Sequence, residues 1–343
     1  MGFWSWTSLS VAVLCLVASV GGQVYRCAPG GVLDWRRAAE WAGGGRVERA
    51  TRLLVSDCIV QSFDGLAALS QLEELEVHNS EFTSAALPRL SLQRVRFANN
   101  PRLERLTFDR WPLRQRLQEL VLSRNENLQL QDYMFESVRA ASHMELIGGV
   151  WPAERVLLFA SRAGERLAVE RLALEELKLE AVPAEALRHV QVAERLSLAH
   201  NNLGELSARA PVAQSQLREL QLSSNYLDLV EADALQTPRL EALDLYRNNL
   251  RYLPANAFRA CRATLVDVNL GDNFLDSLDA GLLEWQRVRA LNLSARLDNE
   301  TSWRCDCHLL RLLRQVPVAG LLQQVRYATH FSSLHCSYSM KYQ

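Results

Sequence analysis

Along residues 239–258 the apolar positions Leu240, Leu243, Leu245, Leu250, Leu253 and Phe258 recur at fixed offsets around a single polar landmark, Asn248. Leu243 and Leu245 are two residues apart, so both point to one side of a short strand. Asn248 stands where the chain turns out of that strand. A buried amide there can bond the backbone groups that the turn leaves unpaired. Leu250, Leu253 and Phe258 then line the inside of a coil. One such unit cannot bury its apolar face alone, so the pattern predicts stacked copies.

The copies are present on both sides. Downstream, Leu265, Val268, Leu270, Asn273, Leu275 and Leu278 repeat the pattern; Val288, Leu291 and Leu293 open a last unit in which Arg296 replaces the Asn. Upstream lie Leu217, Leu220, Leu222, Asn225, Leu227 and Val230, preceded by Ala193, Leu196, Leu198, Asn201, Leu203 and Leu206. These units start at 193, 217, 240, 265 and 288. That spacing fits the period of about 20–29 residues expected of a leucine-rich repeat. Nearer the N-terminus, Ala50, Leu53, Val55, Cys58, Val60 and Phe63 form a weaker first unit with Cys58 in the Asn place. Then come Leu72, Leu75, Val77 and Phe82, then Leu92, Val95, Phe97, Asn100 and Leu103, then Leu117, Leu120, Leu122, Asn125 and Leu128. Between 137 and 172 only a degenerate unit around Val156 and Leu158 is legible, after which Leu174, Leu177 and Leu179 resume the strand pattern with Val182 in the Asn place. The expected fold is an α/β leucine-rich repeat solenoid, a horseshoe of about ten or eleven repeats with caps at both ends and a parallel β-sheet on its concave face.

The ends of the chain bear on where it works. Residues 9–18 are an apolar run too short for a bilayer, which needs about 20 residues, and small residues follow up to Gly22. The run reads as a secretory signal peptide, 1–22. Trp4 and Trp6, rather than basic residues, precede it, and an uncleaved anchor is the competing reading. No later stretch is long and apolar enough to span a membrane, so a secreted, extracellular protein is expected. Residues 23–49 read as an N-terminal cap, with Trp35, Ala38, Ala39, Trp41 and Ala42 laid on the open end of the coil and Gly43, Gly44 and Gly45 leading into the first strand. Repeats then occupy 50–298, irregular at about 137–172, and a cysteine-containing C-terminal cap occupies 299–343. The net charge of -1 gives no reason to expect nucleic acid as partner.

Outside the signal peptide there are six cysteines, Cys27, Cys58, Cys261, Cys305, Cys307 and Cys336. An even number in an exported chain points to disulfides. Pairing Cys27 with Cys58 would staple the N-terminal cap to the first repeat. Near the other end, Trp303-Arg304-Cys305-Asp306-Cys307-His308-Leu309 precedes an apolar run that stops at Pro317. This resembles the cysteine-flanked C-terminal cap of extracellular leucine-rich repeat proteins, in which four cysteines make two bridges. The resemblance implies disulfide roles for Cys305 and Cys336. With three cysteines here, one of Cys305 and Cys307 lacks its usual partner; Cys307 and Cys261 are the candidates for a free thiol or a bond to another chain. Cys261 also reads simply as a small buried apolar residue. Cys305, Cys307, His308, His335 and Cys336 admit a zinc cluster as the other reading, but the oxidising compartment favours disulfides, and no metal or cofactor is expected. Asn292-Leu293-Ser294 and Asn299-Glu300-Thr301 are acceptor sequences for N-linked glycan.

No nucleophile elbow, metalloprotease motif, P-loop or dinucleotide fingerprint occurs, so a binding role rather than an enzyme is expected. Solenoids use the concave face to hold other macromolecules, and its outward positions are the candidate contacts. In the later half they read Glu176, Lys178, Glu180, Arg195, Ser197, Glu219, Gln221, Asp244, Tyr246, Asp267 and Asn269. Carboxylates outnumber bases there, and Glu219, Asp244, Tyr246 and Asp267 are the candidate binding residues. The caps, the cysteines and the irregular repeats resemble the short, coil-less members of the mosquito leucine-rich immune proteins. That resemblance implies a secreted innate-immunity protein that binds microbial surfaces or complement-like thioester proteins, with a disulfide-linked dimer through Cys307 or Cys261. The alternative is an adhesion or receptor-type extracellular protein in signalling or development, similar to Toll-like receptors and neuronal guidance proteins.

Overall fold

In the computed structural model, residues 14–19, 22–27, 31–33 and 51–294 are described, except 89, 109–114, 152–156 and 209–213. Among them one sheet dominates. From Gly22–Cys27 onward its strands are Arg52–Ser56, Glu74–His78, Arg94–Ala98, Gln115–Ser123, Val138–Ile147, Leu167–Glu175, Val190–Ser197, Glu219–Gln221, Ala242–Asp244, Asp267–Asn269 and Ala290–Asn292, each hydrogen-bonded to the next in chain order. All of these pairings are parallel. Only Leu14–Ser19 runs antiparallel, at the edge, against Gly22–Cys27. A parallel sheet whose neighbours are consecutive in sequence requires a return connection of constant hand after every strand, which is a solenoid.

The register aligns one apolar position of every repeat. Leu53, Leu75, Val95, Leu120, Met144, Leu172, Leu196, Leu220, Leu243, Val268 and Leu291 lie side by side across the sheet, and none is more than 4% exposed. At about 1.5–3 kcal/mol for each buried aliphatic side chain, this row is a principal reason the coils stack. The second row, two residues on, includes Val55, Val77, Phe97, Leu122, Leu146, Leu174, Leu198, Leu245 and Leu270, all buried.

This register corrects the middle of the sequence reading. Residues 138–147 form a strand with Ala141, Met144 and Leu146 buried, so a full repeat stands here ahead of the degenerate unit around Val156 and Leu158. Leu172 and Leu174 occupy the strand positions, and Leu177, not Val182, stands in the Asn place. Glu176, Lys178 and Glu180 consequently leave the concave face, because the strand ends at Glu175. From Gln115–Ser123 to Val190–Ser197 the strands run eight to ten residues, against three to five among the other strands of this sheet from Arg52–Ser56 onward.

Among the described residues, the turns out of the sheet from Arg52–Ser56 to Asp267–Asn269 use the same backbone device. The residue before the Asn place has positive φ in ten successive coils: Asp57, Asn79, Asn99, Arg124, Gly148, Glu176, His200, Ser224, Arg247 and Asp272. The Asn that follows then satisfies the turn. Asn225 donates from Nδ2 to Leu198 O in the preceding coil at 3.0 Å, and its Oδ1 accepts the Leu203 N–H at 3.1 Å. Asn201, Asn248 and Asn273 repeat the arrangement. Where Leu177 replaces the Asn, Asn201 of the next coil accepts both the Leu177 and Leu179 amides, at 3.0 and 3.2 Å. Gln214 closes a second polar seam that the repeat pattern does not announce: it accepts the Val192 N–H and donates to Leu187 O and Val190 O.

The return sides carry little helix. Ala184–Arg188 is a short α-helix, and Asp64–Ala68 and Trp285–Arg287 are 3-10 turns; among the described residues the α part of the expected α/β repeat is thus confined to single turns. Aromatic rings fill the N-terminal interior instead. Phe63, Phe82 and Phe97 pack edge to face or tilted, and Phe108, Phe135 and Phe159 form a second file with ring centroids 5.8–5.9 Å apart.

Candidate binding face

Two outward rows cross the sheet. The first reads Arg52, Glu74, Arg94, Glu119, His143, Arg171, Arg195, Glu219, Ala242, Asp267 and Ala290. The second reads Leu54, Glu76, Arg96, Val121, Glu145, Ala173, Ser197, Gln221, Asp244, Asn269 and Asn292 over the same strands. Most of these positions are polar because they face water, with Leu54, Val121 and three alanines the exceptions, so polarity alone assigns nothing. How their charges are neutralised does differ along the solenoid.

From Arg52 to Glu219 the charges are largely paired. Arg52 reaches Glu74 at 3.3 Å and Glu76 at 2.9 Å, Arg94 reaches Glu74 at 2.6 Å, and Arg96 reaches Glu119 at 2.5 Å. His78 lies 3.2 Å from Glu76 and His143 2.6 Å from Glu145. Arg171 pairs with Glu194 at 2.7 Å and Arg195 with Glu219 at 2.8 Å. Burial alone would raise the Glu76 carboxyl, but hydrogen bonds and charges from His78 and Arg52 hold it below its ordinary value. Arg96 is held above its ordinary value by the Glu119 hydrogen bond.

Beyond Glu219 the face changes character. Asp244 and Asp267 sit on adjacent strands, and neither forms an ion pair among the described residues. Asp244 Oδ1 accepts the Tyr246 N–H at 2.9 Å. Asp267 is pushed above its ordinary value by burial, then by the charges of Glu219 and Asp244. The carboxylates therefore repel one another across the last strands, with Tyr246 exposed beside them at 37%. All four candidates, Glu219, Asp244, Tyr246 and Asp267, lie on the three strands Glu219–Gln221, Ala242–Asp244 and Asp267–Asn269 or directly after them. Sequence alternation found these residues; it could not show which of the face's charges are neutralised, since the partners stand one repeat apart.

The cysteines divide. Cys261 is free and fully buried, donating from Sγ to Phe258 O at 3.5 Å, and burial pushes its thiol up to about 12. A thiol with that pKa and no exposed surface is a packed core group, and its position excludes a bond to another chain without opening the coil. Cys58 is buried and disulfide-bonded, and the register of Arg26 against Ser56 brings residue 27 level with residue 57. Cys305, Cys307 and Cys336, the zinc alternative with His308 and His335, and Asn299 all lie outside the described residues. Asn292 ends the last strand, half-buried, with its Oδ1 accepting the Ser294 N–H at 2.9 Å. Its amide and the Ser294 hydroxyl cover Gly271, where a Cβ would collide with both.

Among the described residues no cluster of three or more His, Cys, Asp or Glu is placed to hold a metal, and no helix is long and apolar enough to cross a membrane. A hollow of about 670 Å³ at the start of the long central strands is lined by Arg116, Gln118, Ser142, Glu170 and Gln191 over Ala140, Ala141 and Ala168.

A leucine rich repeat family pattern matches residues 215–264, which hold the Asn225 and Asn248 turns. No curated protein matches the chain. Solved structures similar to it include Toll of Drosophila in its complex with Spatzle, 17% identical, covering 82% of this chain and 48% of that one, with a TM-score of 0.42. TLR13 in complex with ssRNA13 is 16% identical and covers 72% of this chain and 50% of that one, with a TM-score of 0.41. A leucine-rich repeat protein of Leptospira interrogans is 18% identical, covering 78% of this chain and 83% of that one, with a TM-score of 0.33. The chain thus spans about half the length of the first two. What carries the fold assignment is the repeated strand, left-handed turn and bonded Asn described above: the chain is a leucine-rich repeat solenoid.

Proposed function

We propose that the chain is a secreted recognition protein of innate immunity that holds a macromolecular ligand, a microbial surface or a complement-like thioester protein, on the last strands of its concave face. The observation that carries this reading is the uncompensated carboxylate pair Asp244 and Asp267 beside exposed Tyr246, on a face whose earlier charges are paired. Charged groups whose mutual repulsion is not relieved within the fold gain most from an opposite charge brought by a partner. The immune assignment rests on the cap and cysteine resemblance drawn from the sequence.

The same reading includes a signal peptide cleaved near Gly22. Cleavage there removes the antiparallel edge strand Leu14–Ser19 and leaves Gly22–Cys27 as the first strand. A Cys27–Cys58 disulfide then ties that strand to the first full repeat, since neighbouring strands about 4.8 Å apart satisfy the reach of a disulfide. Glycan at Asn299 and Asn292 and a covalent partner at Cys307 complete the proposal.

The test is binding of the secreted protein to intact bacterial cells and to a purified thioester protein, comparing wild type with the Asp244→Asn, Asp267→Asn double variant. Loss of at least ten-fold in affinity supports the face. Unchanged binding to both ligands, or none by wild type, rejects it.

A further inference from the structure

Four of the six large apolar side chains that stand exposed among the described residues belong to two adjacent coils: Tyr226 at 60%, Leu229 at 47%, Tyr246 at 37% and Tyr252 at 62%. Their places in the repeat explain how they line up. Tyr246 is two residues before Asn248 and two after Asp244, just past the end of the strand Ala242–Asp244. Tyr226 follows Asn225 directly. Leu229 and Tyr252 stand four residues after Asn225 and Asn248, so they hold the same place in neighbouring coils. Those coils are stacked by the Asn249 amide donating to Leu227 O at 2.9 Å, and Leu229 is fixed on a small side sheet of Glu205–Leu206 with Leu229–Val230. The strip therefore runs from the margin of the concave sheet around the turn and onto the flank.

Nothing in the packing calls for these rings. Leu227, Val230, Leu250 and Leu253 already fill the coil beneath them, each no more than 1% exposed. Taking about 200 Å² for a full aromatic side chain, the strip offers about 400 Å². That matches the size at which an exposed patch is commonly a contact site, about 300–600 Å², and falls short of the about 800 Å² per partner of a standard interface. A partner covering it must also cover polar surface next to it. On the concave side that surface is Asp244 and Asp267; on the flank it is Asp228 and Arg251, the latter 5.7 Å over the Phe274 ring.

We propose that this strip is the apolar centre of a protein-binding site for a basic polypeptide segment, which crosses the margin with Arg or Lys over Asp244 and Asp267 and apolar side chains against Tyr226, Leu229 and Tyr252. The inference rests on the concave-face reading and extends it around the turn. The charge on the concave side, Asp244 and Asp267, selects the occupant. An acidic segment would meet the carboxylates that already raise Asp267, whereas a basic one relieves them. Tyr side chains suit the role because they bury large area with few rotatable bonds and keep a hydroxyl for water or a partner.

The test uses the full secreted chain and two synthetic peptides, one alternating arginine with leucine and one alternating glutamate with leucine, titrated at low and physiological salt. The arginine peptide is expected to bind at least ten-fold more tightly. Tyr226→Ser with Tyr252→Ser should weaken it about ten-fold with the salt dependence kept; Asp244→Asn with Asp267→Asn should weaken it about ten-fold and flatten that dependence. Both pairs are at surface positions, and thermal melts check that each variant folds. Binding untouched by the tyrosine pair, but lost with the asparagine pair, overturns the strip and leaves the concave face. Loss with the tyrosine pair alone overturns the basic occupant and the concave-face reading together. Equal binding of both peptides, or of neither, overturns the inference.

Discussion

Asn248 Oδ1 accepts the backbone N–H of Leu227, one coil earlier, at 3.0 Å. The same side chain donates to Leu222 O and Leu245 O, each at 3.0 Å, so one residue at 1% exposure ties two coils together. Removing it strands the buried Leu227 amide, whereas Leu222 O and Leu245 O keep the bonds donated by Asn225 and Asn273. Each unsatisfied buried group costs about 1–3 kcal/mol. Asn248→Ala is expected to lower the unfolding free energy by about 1–3 kcal/mol in urea denaturation, and Asn248→Asp by a similar amount because it sets a buried carboxylate against the Leu222 and Leu245 carbonyls. A drop of less than about 1 kcal/mol for both would show that the ladder is dispensable.

The corrected register makes opposite demands on two residues of one repeat. Leu172 is 1% exposed in the aligned apolar row, whereas Val182, only partly buried, packs at the edge of the core. Leu172→Ala should cost about 2–5 kcal/mol, the range for a buried leucine, and Val182→Ala clearly less. The reverse order in equilibrium unfolding would restore the register with Val182 in the Asn place.

Arg247 holds φ at 55°, a conformation that costs a non-glycine residue about 1–2 kcal/mol. Glycine relieves that cost but loses more entropy on folding, about 0.5–1 kcal/mol. Arg247→Gly is therefore expected to raise the melting temperature slightly, and Arg247→Val to lower it sharply, since a β-branched side chain tolerates positive φ least. Equal melting temperatures for the two would contradict the turn geometry.

Cys261 gives a pH signature with a definite sign. Its folded pKa is raised to about 12, above the about 8.5 of an unfolded thiol. The unfolded chain thus releases the proton first. Stability is intact below the unfolded value and falls as pH rises from there towards the folded one. Wild type should lose stability over that alkaline range relative to Cys261→Ala, and native Cys261 should resist alkylation until denaturant is added. Rapid labelling of the native protein, read by mass spectrometry, would place the thiol at the surface.

Asp267 behaves oppositely to a paired carboxylate. Burial and the charges of Glu219 and Asp244 raise its folded pKa, so the folded state is penalised once the group ionises and relieved as pH falls below that value. Asp267→Asn should melt higher than wild type at neutral pH, with the gain shrinking on acidification. Glu76, held low by His78 and Arg52, should show the reverse: Glu76→Gln melts lower at neutral pH, and the deficit closes as acid protonates wild type. A melting temperature that moves the same way for both variants would refute the contrast between the two halves of the face.

The sequence by itself determined the coil. A leucine two positions from another, then an asparagine three further on, specifies strand and turn locally, and those units could be counted wherever the spacing held. Residues 137–172 escaped because Ala141, Gly149 and Leu177 stand where the pattern has Leu, Asn and Asn, so periodicity lost its landmarks although the backbone kept its path. Only the tertiary structure decided the register there, because it is set by Met144 and Leu172 aligning with Leu120 and Leu196 across strands. It also decided which charges are spent. Arg96 and Glu119, or Arg195 and Glu219, stand 23 or 24 residues apart, and stacking alone brings them into contact. The same stacking leaves Asp244 and Asp267 diagonal to each other on adjacent strands, neither in an ion pair among the described residues, and gives Leu229 and Tyr252 the same place in neighbouring coils.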